Sequence, residues 1–455
     1  MTMTPLDNWI RAKTGIPETY APNSHVQGCR SESELKQIAR AIEEYQLEKL
    51  RETLGYAKTR SRFYRGHLSG TEPENIKTIE DVRRIPFTAA DMITKTPLDF
   101  VCVRPGDIGR IVTIPTSGTT GPPKRVYFTN DDQELTRDFF HHGMTTLADE
   151  NDLVIIFLPG KTTGSIGDLL LRALERFNCR GIVYGPIDDY QLAGQALSAS
   201  GAVCAVGLPS QLFALSRFHP ELNLKSVLLC SDYVSAAITH ALESTWGCEV
   251  FSHYGMIESG LGGGVDCSAH AGYHMREADL LFEIVDPVSG DSVPDGKSGE
   301  IVFTTLTRRG MPLIRYKTGD ISRVLPDPCP CGSFLRRFGP VSGRTTAGAL
   351  MRNGYNITMP ALDELLFTVP SLIGFSAEFT RGTGADTLTI TVFAAGGTQA
   401  ARDAGRRIID DAHLGEHIND GLLKLEIRQG GVGALTYGNT KRGITGNTGP
   451  AVKNA

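Results

Sequence analysis

The sequence predicts an α/β protein: a large N-terminal domain with parallel sheet and a small antiparallel subdomain, followed by a small α+β C-terminal domain. Three observations carry this. From Asp131 onward, short apolar runs at 154–158, 181–184, 202–206, 226–230 and 249–251 alternate with helix-length intervals such as 168–177 and 236–246. Apolar runs without polar alternation suit strands covered on both faces, and parallel neighbours need crossovers of that length. After Gly272 the pattern changes to alternating runs, 281–285 and 300–303, joined by the turn-rich stretch 286–296, which fits an antiparallel pair. Beyond Arg344 a helix at 360–367, strands at 375–379 and 387–393, a helix at 398–412 and a strand at 423–427 make a separate small unit. A chain of 455 residues exceeds what one core ordinarily serves. The division is placed between residues 1–342 and 343–455.

The N-terminal region opens with a helix at 31–64, because Leu35, Ile38, Ile42, Leu50, Leu54 and Ala57 recur at helical spacing with charged residues between them. One face of it should pack on the large domain. The stretch 86–92 resembles a helix start, with Thr88 as N-cap and Asp91 three residues on. The tail 430–455 is rich in Gly, Asn and Thr, and its end is expected to be mobile.

Composition narrows the class of function. A formal net charge of -5 leaves no excess of basic residues for a nucleic-acid surface, so a small-molecule partner is expected. Residues 1–22 are polar and unlike a signal peptide, and no run approaches the roughly eighteen apolar residues of a membrane span. A cytoplasmic protein without membrane contact is the expectation. Nine cysteines are dispersed along the chain, which favours reduced thiols or a metal site over a disulfide framework.

The most informative stretch is Thr116-Ser-Gly-Thr-Thr-Gly-Pro-Pro-Lys124, set between strand-like runs at 109–114 and 125–129. Gly118 and Gly121 let the backbone approach a ligand, while Thr116, Ser117, Thr119 and Thr120 offer hydroxyls and Lys124 a mobile cation. Such a loop suits a polyphosphate, although its order is not that of a Walker A loop. Two further stretches are Ser252-His-Tyr-Gly-Met-Ile-Glu258 and Gly299-Glu-Ile-Val-Phe-Thr-Thr-Leu-Thr307, the latter leading to Pro312-Leu-Ile-Arg-Tyr-Lys-Thr-Gly-Asp320. In open α/β sheets ligands collect beyond the carboxyl ends of strands, so Ser231-Asp232 and His253-Tyr254 are candidates by position alone.

Taken together, the three motifs resemble the adenylate-forming superfamily, and their wording is most similar to its phenylacetate-CoA ligase and coenzyme F390 synthetase branch. The resemblance runs from about residue 45 to about residue 354. It implies an ATP-dependent carboxylate–CoA ligase that makes an acyl-adenylate and then a thioester, with an aryl or otherwise apolar acid. ATP, Mg²⁺ and CoA are the implied cofactors, and a homodimer is compatible with it. By the resemblance, the hydroxyls at 116–120 hold the β- and γ-phosphates, and Glu258 helps to hold Mg²⁺, a hard cation that prefers oxygen. His253, Tyr254, Gly255 and Met256 border the nucleotide, and Asp320 receives both ribose hydroxyls. Arg344 reaches the nucleotide beside an interdomain hinge. Lys441, in Gly438-Asn-Thr-Lys-Arg442, stands where the family carries a late catalytic lysine.

Two departures from the family pattern stand out. Ile257 replaces the hydroxyl residue usual before the glutamate, and 345–354 lacks the usual acidic hinge residue. A separate constellation is Cys329-Pro-Cys331-Gly with Cys267 and His274 upstream. Three cysteines and a histidine suit a closed tetrahedral zinc site of structural type, with His270 as the rival fourth ligand and unrelated free thiols as the plainer alternative. Two other functions stay open: adenylation with an amine, carrier-protein or hydroxyl acceptor, and a nucleotide-binding regulatory protein with a degenerate site.

Overall fold

The computed structural model describes residues 4–16, 32–114, 123–345, 348–394, 398–431 and 442–447. They fall into two compact units, one of Met1–Asn151, Pro159–Gly181 and Phe251–Val341, the other of Asp152–Leu158, Ile182–Val250 and Ser342–Ala455. No described helix is long and apolar enough to cross a membrane.

In the first unit the helix Glu32–Arg60 is followed directly by Arg62–His67, and Ser61 caps the second piece by accepting a hydrogen bond from the Tyr64 amide. Leu50, Leu54, Ala57 and Tyr64 are buried together with Ile301, Phe303, Ile314 and Tyr316, so the helix lays its apolar stripe against strands far along the chain. Thr88 does not cap a helix. Its hydroxyl donates to the Ile314 carbonyl at 2.7 Å, and the next helix, Ala90–Lys95, starts after Ala89 without a side-chain cap. A buried hydroxyl takes the nearest acceptor, and here that acceptor belongs to a distant strand.

Among the described residues, strands of this unit form a hairpin, a meander and an antiparallel ladder. The strands Arg110–Ile114 and Lys124–Phe128 are antiparallel, with Ile114 opposite Lys124, so the two ends of the hydroxyl-rich loop are pinned side by side. Leu280–Val285, Gly299–Thr305 and Tyr316–Ser322 form an antiparallel meander. The end of Glu249–Tyr254 pairs with Gly264–Val265, which pairs with Tyr273–Met275, then Arg337–Phe338 and finally Val324–Leu325, all antiparallel. The turn out of Glu249–Tyr254 is tight enough to demand glycine: a Cβ on Gly255 would lie 2.4 Å from the Leu261 carbonyl oxygen.

The second unit contains the parallel strands Leu153–Ile156, Cys204–Gly207 and Ser226–Leu229, with helices Tyr190–Ser200, Pro209–Phe218 and Ala236–Trp246 between or after them. The C-terminal part has an antiparallel pair, Leu372–Thr380 and Asp386–Ala394, flanked in parallel by Leu423–Gly430 on one side and Thr445–Asn447 on the other. The helix expected at 360–367 is Met359–Leu366, capped by Thr358. The expected helix at 398–412 is two: Gln399–Ile409 ends, and Asp411 caps Ala412–Asn419 by accepting from the amides of His413 and Leu414. An aspartate that can cap a new helix competes with continuing the old one. Phe213 and Phe367 meet edge to face at 4.7 Å inside a core shared by both parts of this unit.

Candidate active site

Lys124 begins the second strand of the hairpin, directly after the loop whose residues Thr116, Ser117, Gly118, Thr119, Thr120 and Gly121 lie outside the described residues. Its ammonium forms an ion pair with the Glu258 carboxylate, 134 residues away in sequence. Tyr316 completes the group, with its hydroxyl 3.2 Å from both Lys124 Nζ and Glu258 Oε1. Glu258 is 4% exposed, and the ion pair and phenol supply the polar partners a carboxylate needs at that depth. Below it Arg308 donates from Nη1 to the Glu258 carbonyl at 2.8 Å and lies over the Phe128 ring at 4.6 Å. Burial brings the Arg308 pKa down to about 10, so the guanidinium stays charged at neutral pH.

The strand end that carries His253 and Tyr254 meets the third strand of the meander. The Tyr254 hydroxyl donates to Asp320 Oδ2 at 3.2 Å, and the Asp320 amide donates to Thr318 Oγ1 at 3.0 Å, within the strand Tyr316–Ser322. The Tyr254 ring packs edge-on to Phe338 and is 8% exposed. His253 sits between Phe139 and Phe140, and burial, with the Arg276 charge, brings its pKa down to about 4, so its ring is neutral. Met256 packs at the edge of the same core, and its amide donates to the Ser259 hydroxyl.

The cysteine and histidine positions converge among the strands that follow Glu249–Tyr254. Cys267 follows the strand Gly264–Val265, His274 lies in Tyr273–Met275, and Cys329 and Cys331 lie in the loop between Val324–Leu325 and Arg337–Phe338. Their ligand atoms all fall within 4.8 Å of one another. Sγ of Cys267 is 3.6 Å from Sγ of Cys329, and Sγ of Cys331 is 3.4 Å from His274 Nε2. His270 is elsewhere, held through Nδ1 by Asp266 at 3.0 Å. The hydrogen bond from Cys267, and then His274, bring the Cys331 pKa down to about 3, while that same bond and burial push Cys267 well above the usual thiol range. Burial alone would lower His274, but hydrogen bonds to Cys329 and Cys331 outweigh it and bring the ring up to about 9.

Ser231, Asp232 and Arg344 belong to the second unit. Ser231 has φ +71, uncommon for a residue with a side chain, just beyond the strand Ser226–Leu229. Asp232 accepts from the Tyr233 and Arg442 amides. Arg344 ends the short strand Gly343–Arg344. Lys441 lies outside the described residues. Tyr316 and Arg308 were not singled out as site residues from the sequence. Tyr316 does fall inside the Ile314-Arg-Tyr316 wording, and Arg308 immediately follows Thr307 at the end of the same motif.

Comparison with known proteins bears on the family and the fold. The model for the AMP-binding enzyme family matches residues 41–306. A phenylacetate-coenzyme A ligase from Thermus thermophilus is 29% identical over 348 residues, covering 73% of this chain and 76% of that protein. One from Aromatoleum evansii is 28% identical, covering 76% of this chain and 80% of that protein. The fold is similar to that of 2-hydroxyisobutyryl-CoA ligase in its postadenylation state in complex with R3-HIB-AMP, at a TM-score of 0.75 and 21% identity, with 89% of this chain and 88% of that one covered. The chain therefore belongs to the AMP-binding enzyme family.

Proposed function

We infer that the protein is an ATP-dependent carboxylate–CoA ligase. ATP and a carboxylic acid give an acyl-adenylate and pyrophosphate, and the CoA thiol then displaces AMP to leave a thioester. Membership of the AMP-binding enzyme family and likeness to two phenylacetate-coenzyme A ligases over about three quarters of the chain support this. The observation that carries it is the meeting of Lys124 and Glu258 beside the pinned ends of the hydroxyl-rich loop. Joining a carboxylate to a triphosphate brings anions together, so the site must present positive charge and fixed donors before reaction.

In this reading Lys124 and the hydroxyls at 116–120 bind the phosphates, Glu258 supplies an oxygen ligand for Mg²⁺, and Asp320, oriented by Tyr254, receives the ribose hydroxyls. Bound Mg²⁺ supplies charge neutralisation on the phosphate oxygens. Tyr316 holds Glu258 in place when Lys124 turns to a phosphate. The acid is aryl or otherwise apolar. The segment 343–455 acts as a domain that turns between the half-reactions about the hinge after Arg344, and Lys441 serves the first of them. The test is acid-dependent ATP–pyrophosphate exchange together with CoA-dependent AMP release over a panel of aryl and aliphatic acids. Exchange with release identifies the ligase, and absence of both for every acid overturns it.

Cys267, His274, Cys329 and Cys331 are assigned to a structural Zn²⁺. The donor set fits: zinc–sulfur bonds of about 2.3 Å in a tetrahedron put sulfurs about 3.8 Å apart, close to the 3.6 Å between Cys267 and Cys329. Four protein ligands leave no open position for chemistry. The bound ion would cross-link the turn after Gly264–Val265 to the loop 326–336.

A further inference from the structure

The loop 231–233 leaves the carboxyl end of the strand Ser226–Leu229, the place where ligands collect in open α/β sheets. Asp232 in this loop is already engaged. Its Oδ1 accepts from the Tyr233 amide at 2.9 Å, and its Oδ2 accepts from the Arg442 amide at 3.2 Å. The Arg442 side chain is 9% exposed. Its Nη1 donates to Asp363 Oδ1 at 2.6 Å, its Nη2 donates to the Phe375 carbonyl at 3.2 Å, and the guanidinium lies 4.4 Å from the Phe375 ring centroid. The planar fork therefore holds residue 442 in place and delivers its main-chain N–H to Asp232. A few residues on, Thr445–Asn447 pairs in parallel with Leu372–Thr380, which continues the mooring. In sequence, Arg442 directly follows Lys441.

Resting on the ligase reading above, we propose that Arg442 and Asp232 are positioning residues for the adenylation half-reaction: Arg442 moors the start of the C-terminal strand, and its N–H ties that mooring to the loop after Ser226–Leu229. The two kinds of contact differ in what a turning domain would do to them. Asp363, Phe375 and Thr445–Asn447 all lie in 343–455 and travel with Arg442. Asp232 does not, so its bond to the Arg442 amide forms and breaks in each cycle, together with the bonds that Glu364 accepts from the Tyr233 hydroxyl and the Ala236 amide. A tie of this kind biases the arrangement that serves the first half-reaction and contributes nothing to the second.

The test uses the full-length enzyme and the variants Asp232→Ala, Arg442→Ala and Arg442→Lys. Asp232→Ala is expected to lower kcat for adenylation about tenfold, the loss of one hydrogen bond to a charged acceptor, with KM for ATP and acid little changed. Thioester formation from preformed acyl-adenylate and CoA should stay at the wild-type rate. Arg442→Ala should lose at least as much adenylation, and Arg442→Lys should not restore it, because one ammonium nitrogen lacks the planar two-nitrogen fork that spans Asp363 and the Phe375 carbonyl. A measurement independent of activity is tryptic cleavage at the Arg442–Gly443 bond, which Asp232→Ala should accelerate at unchanged Tm. Equal loss of both half-reactions with a lowered Tm would show a merely structural role and overturn the assignment. So would an Asp232→Ala enzyme that matches wild type in adenylation and cleavage. A wild type that exchanges pyrophosphate with no acid of the panel overturns the ligase reading and this assignment with it, whereas the preceding outcomes overturn the assignment alone.

Discussion

A carboxylate as buried as Glu258 costs several kcal/mol unless charge and hydrogen bonds compensate it, and here Lys124 and Tyr316 do so. In the proposed ligase the same pairing would keep a metal ligand and a phosphate ligand next to each other before either substrate arrives. Lys124→Ala and Glu258→Gln should each lower acid-dependent ATP–pyrophosphate exchange by about ten- to a thousandfold, the range for losing one transition-state contact. Wild-type exchange in both variants would place the chemistry elsewhere. Lys124, Glu258 and Asp320 were named from the sequence through the motifs that carry the family resemblance, and the structure brings Lys124 to Glu258 and Tyr254 to Asp320. Tyr316 and Arg308 were not, because they reach Glu258 from 58 and 50 residues away through the pairing of strands, which no local pattern announces.

Among elements, the parallel strands and the meander followed from apolar pattern and turn residues, since burial on both faces or on one face writes directly into the sequence. What failed was local competition. Thr88 had the chemistry of a cap but found a buried carbonyl in a distant strand, and Asp411 broke one expected helix into two. The strand Thr445–Asn447 hid in a Gly- and Thr-rich tail because its partner, Leu372–Thr380, and the Arg442 anchor lie far upstream or in side-chain contacts. The cysteine loop behaves oppositely: four residues from three stretches were legible by type, and the strand pairings Val265 to His274 and His274 to Arg337 explain why they meet. Purified without added metal, the protein should carry about one zinc per chain, and the double variant Cys329→Ser/Cys331→Ser should carry none and melt several degrees lower. Full zinc occupancy in that variant would rule the ligand set out.

The buried Asp363 gives the C-terminal part a pH signature. Burial, helped by the charges of Asp232 and Glu364, pushes its pKa up to about 7 despite Arg442 beside it. A carboxyl whose folded pKa exceeds its unfolded value binds more protons when folded, so its contribution to stability falls as pH rises from about 4 to about 7 and is lowest above that. Asp363→Asn should remove that part of the slope, and denaturant titrations at pH 5 and pH 8 compare it with wild type. An unchanged difference between the two pH values would mean that Arg442 keeps the carboxylate charged throughout.

At the scale of the whole molecule, the two half-reactions ask different things of the same chain. Adenylation needs a cation at the acid and α-phosphate oxygens, where two negative groups approach, whereas thioester formation needs a path for a thiol to the acyl carbon. A single lysine placed for the first task would obstruct or be idle in the second, which is the physical case for a domain that turns. With Lys441 as that lysine, Lys441→Ala should reduce acyl-adenylate formation by about a thousandfold or more, the scale of losing a transition-state charge contact in a site shielded from water. Supplied with preformed acyl-adenylate and CoA, the same variant should make thioester at the wild-type rate. Single-turnover measurements of both half-reactions decide the matter. Normal adenylation by Lys441→Ala would remove the lysine from the mechanism and leave Lys124 to carry the charge alone, and equal loss of both halves would show that residue 441 supports the fold of the C-terminal segment rather than one chemical step.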